Sequence, residues 1–96
     1  MDPPSYGRGP TGEVWKIEEN IDEFVNLTTE ILSDKPLFFL LNSYTTGLSA
    51  STMKYITDAR LFTRWNGKSE ADELGLPVKE SGLYLPCGSS VRVSFE

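Results

Sequence analysis

No histidine occurs among the 96 residues, and this absence removes much of the chemistry that a small enzyme uses. Histidine is the usual general base of nucleophile pairs and the commonest ligand of zinc and iron. The run Cys87-Gly88-Ser89-Ser90 therefore has nucleophilic side chains without their usual proton acceptor. A reactive thiolate would need a cation such as Arg64 or Arg92 beside it, so we expect Cys87 to be a small turn residue. We predict no catalytic residue, no metal site and no cofactor.

The triplet Gly67-Lys68-Ser69 has the composition of the end of a phosphate-binding loop. The full motif needs a second glycine five positions before Gly67, and the sequence has Phe62 there. A glycine-rich dinucleotide fingerprint is absent from the sequence as well. We therefore interpret the triplet as an ordinary turn followed by a helix N-cap.

Negative charge is concentrated in the first third of the chain. Up to Asp34 there are eight acidic residues against two basic ones, and from Lys35 onward there are seven basic residues against six acidic ones. Such a charged face most often only keeps a small protein soluble, but it can also recognise a basic protein. It repels phosphate backbones, so direct nucleic-acid binding is disfavoured. Four of the acids share one face of a predicted helix: Glu19, Asp22, Glu23 and Glu30.

Two further features are candidates for binding. Trp65 ends a predicted strand just before a turn, where partial exposure would make it part of an interface, although most aromatic residues lie in cores. A loop after the predicted central strand could bind a small ligand, because ligands collect at the C-terminal ends of strands in α/β sheets. The same hydroxyls and amide more often satisfy the loop's own backbone. The loop residues concerned are Asn42, Tyr44, Thr45 and Thr46.

The clearest predicted element is a helix that starts after Asn20. Asn20 and Glu23 form a capping-box pattern, and Pro36 marks the end. Residues 13–17 alternate as a strand before this helix, and residues 37–41, which are apolar on both faces, predict a central strand covered on both sides. Strand, helix and strand together predict a right-handed parallel crossover. Apolar side chains recur in the helix at helical spacing: Ile21, Phe24, Val25, Thr28, Ile31 and Leu32.

The second half of the chain predicts short elements joined by turns. In chain order they are a helix over residues 51–56 capped by Ser49 or Ser51, a third strand over residues 60–65, a turn at Asn66-Gly67, one or two helical turns over residues 69–75, and a C-terminal hairpin of residues 83–85 and 91–95 joined by a loop over residues 86–90. The fold class is therefore α+β (or α/β), with one mixed sheet of about five strands and two or three helices.

The size of the chain predicts one hydrophobic core. Residues 1–10 hold three prolines and two glycines without apolar periodicity, so we expect a flexible leader there and a single α+β domain over residues 11–96. The longest apolar run is far shorter than the about 20 residues that cross a bilayer, and the N-terminus lacks a secretory signal. A cytoplasmic location without a membrane partner is the expectation.

The leading functional hypothesis is a non-enzymatic protein–protein interaction module, of the inhibitor or immunity type, that binds a basic protein partner. Its basis is the uneven charge, the small size and the missing catalytic residues. The alternative is a small-ligand-binding or regulatory domain that uses the loop over residues 42–47. An enzyme that uses carboxylates or Cys87 ranks third. The oligomeric state and the strand order are left open.

Overall fold

The computed structural model describes residues 1–45 and 47–96. These residues form a two-stranded sheet of β1 and β2 and a three-stranded sheet in the order β3–β5–β4. The α+β prediction is confirmed, whereas the single sheet of about five strands is wrong. The elements in chain order are β1 (Tyr6–Arg8), β2 (Val14–Lys16), α1 (Ile17–Thr29), β3 (Phe38–Ser43), α2 (Ala50–Leu61), β4 (Gly67–Pro77) and β5 (Tyr84–Phe95).

The three-stranded sheet is antiparallel throughout, with β5 in its centre. A C-terminal hairpin is present, but it joins β4 to β5 through residues 78–83; the predicted pairing of residues 83–85 with residues 91–95 is wrong, because residues 84–95 form the single strand β5. Residues 86–90, predicted as its loop, lie inside β5 instead. Pro86 is tolerated there because it lies opposite Gly75 at a register irregularity and beyond Ser89, the last residue of β5 that pairs with β3.

Helix α1 begins at Ile17, before the predicted cap. Lys16 occupies the N-cap position, and the Asn20 side chain accepts a hydrogen bond from the Lys16 backbone N–H at 3.0 Å. The helix ends at Thr29, earlier than its apolar periodicity predicts, and Arg64 donates a hydrogen bond to the Thr29 carbonyl at 3.1 Å. This carbonyl at the helix end is thus satisfied by a side chain rather than by a further helical turn.

Helix α2 begins where Ser49 caps it, as predicted, since the Ser49 hydroxyl accepts a hydrogen bond from the Thr52 N–H at 3.2 Å. It continues through Leu61, which is fully buried. The predicted strand over residues 60–65 is wrong, because its first two residues belong to this helix. The predicted helical turns over residues 69–75 are wrong too, because pairing with β5 places them in β4. Neither helix in the part of the chain that the structure describes is long and apolar enough to span a membrane.

The core lies between the two helices and one face of the three-stranded sheet. The opposite face of β3 is open, with Phe38 70% exposed and Leu40 37% exposed. Strand β3 is therefore an edge strand covered on one face, and the prediction of a central strand covered on both faces is wrong. The buried apolar residues are Ile17, Ile21, Val25, Phe39, Leu41, Leu48, Met53, Leu61, Val91 and Val93.

Met1 lies beside the free edge of β3. Its amino group donates to the Leu40 carbonyl at 2.6 Å, and its carbonyl accepts from the Asn42 N–H at 2.9 Å. This is the hydrogen-bond pattern of a parallel pair with Leu41 opposite Met1. Within residues 1–10 the structure also places strand β1, whereas the flexibility of this segment and a domain boundary at residue 11 stay predictions. The predicted parallel crossover is wrong, because β2 and β3 belong to different sheets.

Candidate functional site

The candidate site lies at the end of β3, where the segment that follows Met1 runs alongside it. Because Met1 is parallel to β3, Asp2 lies beside Asn42 at the C-terminal end of β3. The carboxyl ends of parallel strands are the places where open α/β sheets bind ligands. The geometry therefore brings Asp2 to the loop that the sequence indicated for ligand binding.

Two donors hold the Asp2 carboxylate in place. Asp2 Oδ1 accepts a hydrogen bond from Asn42 Nδ2 at 3.0 Å and from the Tyr44 hydroxyl at 3.2 Å. The bond from Asn42, and after it the bond from Tyr44, hold the pKa of Asp2 below its usual value. The pKa of Tyr44 is raised, because its hydroxyl proton is bonded to the carboxylate. At neutral pH the cluster is thus an anion with two neutral donors; we call Asp2, Asn42 and Tyr44 the strand-end cluster.

The backbone on both sides of the strand-end cluster is constrained. Prolines fix φ and lack an N–H, so the chain leaves the edge of β3 at Pro3-Pro4. Pro3 is buried, and the Pro4 carbonyl accepts a hydrogen bond from the Trp15 indole N–H. On the other side, the Thr45 hydroxyl donates to the Ser5 hydroxyl. These contacts tie the segment after Met1 to the loop after β3.

Gly88 of β5 packs against the end of β3. A Cβ atom at this position would lie 2.5 Å from the Ser43 carbonyl oxygen and 2.8 Å from Tyr44 Cδ1. A glycine lets the two backbones approach this closely, as no other residue could without a shift. Gly88 therefore positions the Tyr44 ring that reaches Asp2.

Two open clefts flank the strand-end cluster. One, of about 420 Å³, is lined by Asp2, Pro3, Pro4, Trp15 and Phe24, with the two aromatic rings edge to face at 5.6 Å between centroids. The other, of about 330 Å³, is more polar. A ligand at Asp2 would meet an apolar wall on one side and hydroxyl groups on the other. The second cleft is lined by Tyr44, Thr45, Leu48, Ser49, Glu73, Pro86, Cys87, Gly88 and Ser89.

The predicted ligand-binding residues divide in three ways. Asn42 and Tyr44 contact Asp2 directly, Thr45 lines the more polar cleft, and Thr46 lies outside the described residues. Their role in binding a ligand stays a prediction. Sequence reasoning missed Asp2, because residues 1–10 were interpreted as a leader. One feature of the sequence could have indicated it: Asp2 is followed by two prolines, and prolines stiffen the backbone that carries the carboxylate.

The acidic face of α1 is only partly free of internal contacts. Glu19, Glu23 and Glu30 are exposed. Asp22 is half-buried and accepts two hydrogen bonds from Arg60 of α2, from Nε at 2.9 Å and from Nη2 at 2.7 Å. These bonds hold the pKa of Asp22 below its usual value. Asp22 thus joins α1 to α2, and the use of this face by a basic partner stays a prediction.

Trp65 packs at the margin of the core. Its ring meets Phe95 edge to face at 5.8 Å, and its indole N–H donates to the Asp34 carbonyl at 3.1 Å. The Arg64 guanidinium lies 4.6 Å from the ring centroid. Trp65 lies after the end of α2 and does not end a strand, contrary to the sequence prediction. Its ring is packed against other residues of this chain. Its role in an interface stays a prediction.

Cys87 is a free, half-buried thiol in the lining of the more polar cleft. It lies within β5 and not in a turn, which corrects the expected location. In residues 1–45 and 47–96, no three carboxylate or cysteine side chains converge closely enough to hold a metal ion.

No family model and no curated protein sequence matches the chain. Solved structures do match it. The SAM-dependent methyltransferase from Agrobacterium tumefaciens shares 27% identity at a TM-score of 0.78, covering 97% of this chain and 31% of that chain. SMU.776, provisionally assigned as a methyltransferase and complexed with SAH, shares 18% identity at a TM-score of 0.64, covering 100% of this chain and 25% of that chain. The chain thus spans less than a third of the length of these proteins.

These similarities overturn the hypothesis of a non-enzymatic inhibitor or immunity-type protein. The 27% identical match is a methyltransferase and the 18% identical match shows the same fold, so the similarities favour a methyltransferase-like fold over an inhibitor or immunity-type protein. The absence of histidine had argued against catalysis because it removes imidazole bases and common metal ligands. Methyl transfer from a sulfonium donor does not depend on an imidazole, so that exclusion was too broad.

Proposed function

We propose that this chain forms part of a SAM-dependent methyltransferase and that the strand-end cluster faces the place of methyl transfer. The similarity to the Agrobacterium enzyme over 97% of this chain supports the proposal. The observation that carries it is the position of Asp2: a carboxylate bonded by two donors at the carboxyl end of β3. Met1 and Leu41 pair in parallel here, and the carboxyl ends of parallel strands are the positions at which open sheets bind ligands.

The residues of this chain fit one side of a SAM site. SAM has a positive sulfonium and ammonium, which suit the Asp2 carboxylate, and when bound it supplies an electrophilic methyl group. It also has a carboxylate and an adenosine, whose binding needs cations and further partners. Neither cleft beside the strand-end cluster has a lysine or arginine in its lining among the described residues. We therefore assign the strand-end cluster to the side of the site that faces the methyl group and its acceptor, and we assign neither cleft to the carboxylate of SAM.

The contribution of the strand-end cluster is to orient the acceptor. Asn42 and Tyr44 donate to Asp2 Oδ1, and in the described part of the chain no donor reaches Oδ2. An acceptor N–H or O–H bonded to Oδ2 would have its lone pair directed at the methyl carbon. SAM, when bound, would supply a methyl group whose carbon–sulfur bond breaks with its electron pair moving to sulfur, and the proton that the acceptor loses would pass to solvent water. Positive charge that develops on the acceptor is stabilised by the fixed carboxylate.

The test is a methyl-transfer assay on the gene product that contains this chain. Tritiated methyl-SAM is supplied with RNA, protein and small-molecule fractions of the source cells as acceptors. Asp2→Asn removes the negative charge at similar size, so we expect the rate to fall about a hundredfold, the lower range for a positioned carboxylate. Glu80→Gln, an exposed change in the loop between β4 and β5, is the matched control and leaves the rate unchanged. A gene product that binds neither SAM nor SAH in calorimetry, or an unchanged rate in Asp2→Asn, overturns the proposal.

A further inference from the structure

The more polar of the two clefts contains one charged side chain, Glu73 of β4. Lysine and arginine are absent from its lining among the described residues, which otherwise consists of hydroxyl, phenol, thiol and apolar side chains and a glycine. Glu73 forms no ion pair within residues 1–45 and 47–96. The neighbouring acids Glu70 and Asp72 of β4 differ, because both lie beside Arg92. The cleft therefore presents a negative charge that these residues do not neutralise.

Ser89 of β5 lies directly opposite Glu73 in the antiparallel ladder. Cross-strand partners project from the same face of a sheet, so the hydroxyl and the carboxylate are neighbours in the lining of the cleft. Ser89 is only 8% exposed, and its hydroxyl makes no hydrogen bond to the described residues. A nearly buried hydroxyl without a partner costs free energy unless water or a ligand bonds to it. Ser89 is therefore a second polar group available to a ligand.

The start of α2 reaches the same cleft through Ser49, and helix N-termini attract anions. Here the Ser49 hydroxyl accepts a hydrogen bond from the Thr52 N–H at 3.2 Å, so this helix end is capped from within the chain. The full negative charge of Glu73 also exceeds the partial positive charge, about half a unit, of a helix N-terminus. A cation thus suits this cleft better than an anion.

We propose that this cleft binds a positively charged amino group of the methyl acceptor, with Glu73 and Ser89 as its partners. The inference rests on the proposed function, in which the strand-end cluster faces the reacting atom of the same molecule. Tyr44 connects the two places, because its ring lines the cleft and its hydroxyl donates to Asp2. An ammonium group can donate to the carboxylate and to the hydroxyl oxygen at once. A free amine or a lysine side chain would supply this group, and a cleft of about 330 Å³ has room for either.

The binding test uses the gene product that contains this chain, with SAH present and 1,5-diaminopentane as the probe. We expect calorimetry to show saturable binding that Glu73→Gln weakens about fivefold, the upper range for an exposed ion pair. Ser89→Ala deletes the hydroxyl and weakens binding about threefold, while thermal melting confirms folding. Glu80→Gln, an exposed change in the loop between β4 and β5, is the matched control and leaves the affinity unchanged. Inorganic phosphate at the same concentration does not displace the diamine.

The kinetic test separates binding of the acceptor from methyl transfer. In the tritiated assay we expect Glu73→Gln to raise the acceptor KM about fivefold and to change kcat less than about twofold, because this carboxylate contacts the acceptor away from the reacting atom. Asp2→Asn lowers kcat instead. Label in the small-molecule fraction identifies a free amine as the acceptor, and label in the protein fraction identifies a lysine-containing protein.

Several outcomes overturn the inference: no binding of the diamine, displacement of the diamine by phosphate, equal affinity of Glu73→Gln and the native protein, or a labelled product without an ammonium group. The proposed function fails separately. A gene product that binds SAH and transfers methyl groups but does not bind the diamine overturns the inference alone. Diamine binding that depends on Glu73, without methyl transfer to any fraction, counts against the proposed function alone.

Discussion

The charge state of Asp2 depends on side chains that lie 40 and 42 positions away in sequence. A hydrogen bond donated to a carboxylate stabilises the anion, so the proton is lost at a lower pH. Asn42 and Tyr44 thereby keep Asp2 ionised and hold one of its oxygens. This arrangement makes the carboxylate a fixed hydrogen-bond acceptor and a weak base.

Removing the Tyr44 hydroxyl raises the pKa of Asp2. Tyr44→Phe deletes one donor to Oδ1, and Asn42→Ala, which deletes the donor with the larger effect, raises the pKa further. Carbon-13 NMR titration of the Asp2 carboxyl measures both changes. Tyr55→Phe, on the exposed surface of α2, leaves the Asp2 titration as it is in the native chain. Equal Asp2 midpoints in Tyr44→Phe and the native chain would show that the hydroxyl does not bond the carboxylate in solution.

A methyl group at Gly88 disturbs the end of β3. The Cβ atom in Gly88→Ala would meet the Ser43 carbonyl at 2.5 Å, so the strands must separate locally. We expect a loss of about 1–3 kcal/mol in the free energy of unfolding, the usual cost of overpacking. Urea denaturation measures it. Gly7→Ala is the matched control, because a Cβ at Gly7 meets nothing within 4 Å, and equal stability of the two variants would contradict the close approach.

Two of the three residues of the strand-end cluster could be predicted from the local sequence. Asn42 and Tyr44 were identified because they follow a predicted strand. That prediction uses only neighbouring residues and no contact with distant parts of the chain. Asp2 was missed because its place beside β3 depends on a parallel pair across some forty residues, which no local pattern encodes. The same long-range pairing is what brings the carboxylate to its donors.

At the scale of elements, α1 and α2 are joined by a bidentate ion pair on the side of α1 that the sequence presented as a uniform acidic face. Asp22 binds Arg60, with side chains 51% and 39% exposed. Exposed pairs contribute little to stability, although bidentate geometry raises their contribution. The pair orients the two helices more than it stabilises them.

Asp22→Asn lowers the free energy of unfolding by about 0.5–1 kcal/mol at neutral pH, the range for a half-exposed pair. The hydrogen bonds from Arg60 depress the pKa of Asp22, so the pair stabilises the folded chain above the ordinary value of 3.8 and ceases to do so as the pH falls through the lower folded value. Urea denaturation at neutral and acidic pH tests both points. Glu23→Gln, exposed on the same helix, is the control. A difference from the native chain that persists at low pH would contradict the assignment to Asp22 ionisation.

The strands illustrate why local patterns failed in the second half of the chain. Ser69 and Asp72 have the spacing of a helix start, yet they lie in β4 opposite Val93 and Ser90 of β5. Asp72 also binds Arg92 of β5 at 3.0 Å. Cross-strand pairing and burial outweigh a capping pattern that contributes about 1 kcal/mol. The existence of α1, β2, β3 and a strand at the C-terminus followed from hydrophobic periodicity, whereas the hairpin partner, the strand order and the pairing did not.

Substitutions on the two faces of β3 should have unequal costs. Leu41 is fully buried, so Leu41→Ala lowers the free energy of unfolding by about 2–5 kcal/mol. Phe38 is 70% exposed, so Phe38→Ala in the 96-residue chain costs less than about 1 kcal/mol. Thermal and urea unfolding measure both variants. Comparable losses would mean that the outer face of β3 is covered within this chain.

As a whole, the molecule is a flat layer, with extents of 47 × 41 × 18 Å. Two helices cover one sheet face, and the other face and the edge of β3 stay open. Composition and periodicity sufficed for the α+β class, because those depend on local sequence. The functional hypothesis failed because it was built on the distribution of charge, whereas the solved structures that match the fold are of methyltransferases, of which this chain covers 31% and 25%.

The far end of the β4–β5 hairpin extends beyond β3 as a two-stranded arm. Pairing with β3 ends at Ser89, whereas β4 and β5 remain paired as far as Pro77 and Tyr84. The apolar side chains of the arm are largely exposed, with Leu76 57%, Leu83 68%, Tyr84 69% and Leu85 57% exposed. The arm therefore adds little to the core of the chain.

Replacing residues 76–85 by Asn-Gly, together with Pro86→Thr to supply the backbone N–H that closes the turn, should shorten the arm without unfolding the domain. Gly75 and Pro86 already lie opposite each other, and a two-residue Asn-Gly loop is a favoured hairpin connection. We expect the free energy of unfolding in urea to change by less than about 1 kcal/mol, because the removed side chains are mostly solvent-exposed. Leu61→Ala, which truncates a fully buried residue of α2, is the contrasting control and costs about 2–5 kcal/mol. A loss on shortening as large as that of Leu61→Ala would mean that the arm is part of the core and that the open surface of this molecule is smaller than the exposed fractions indicate.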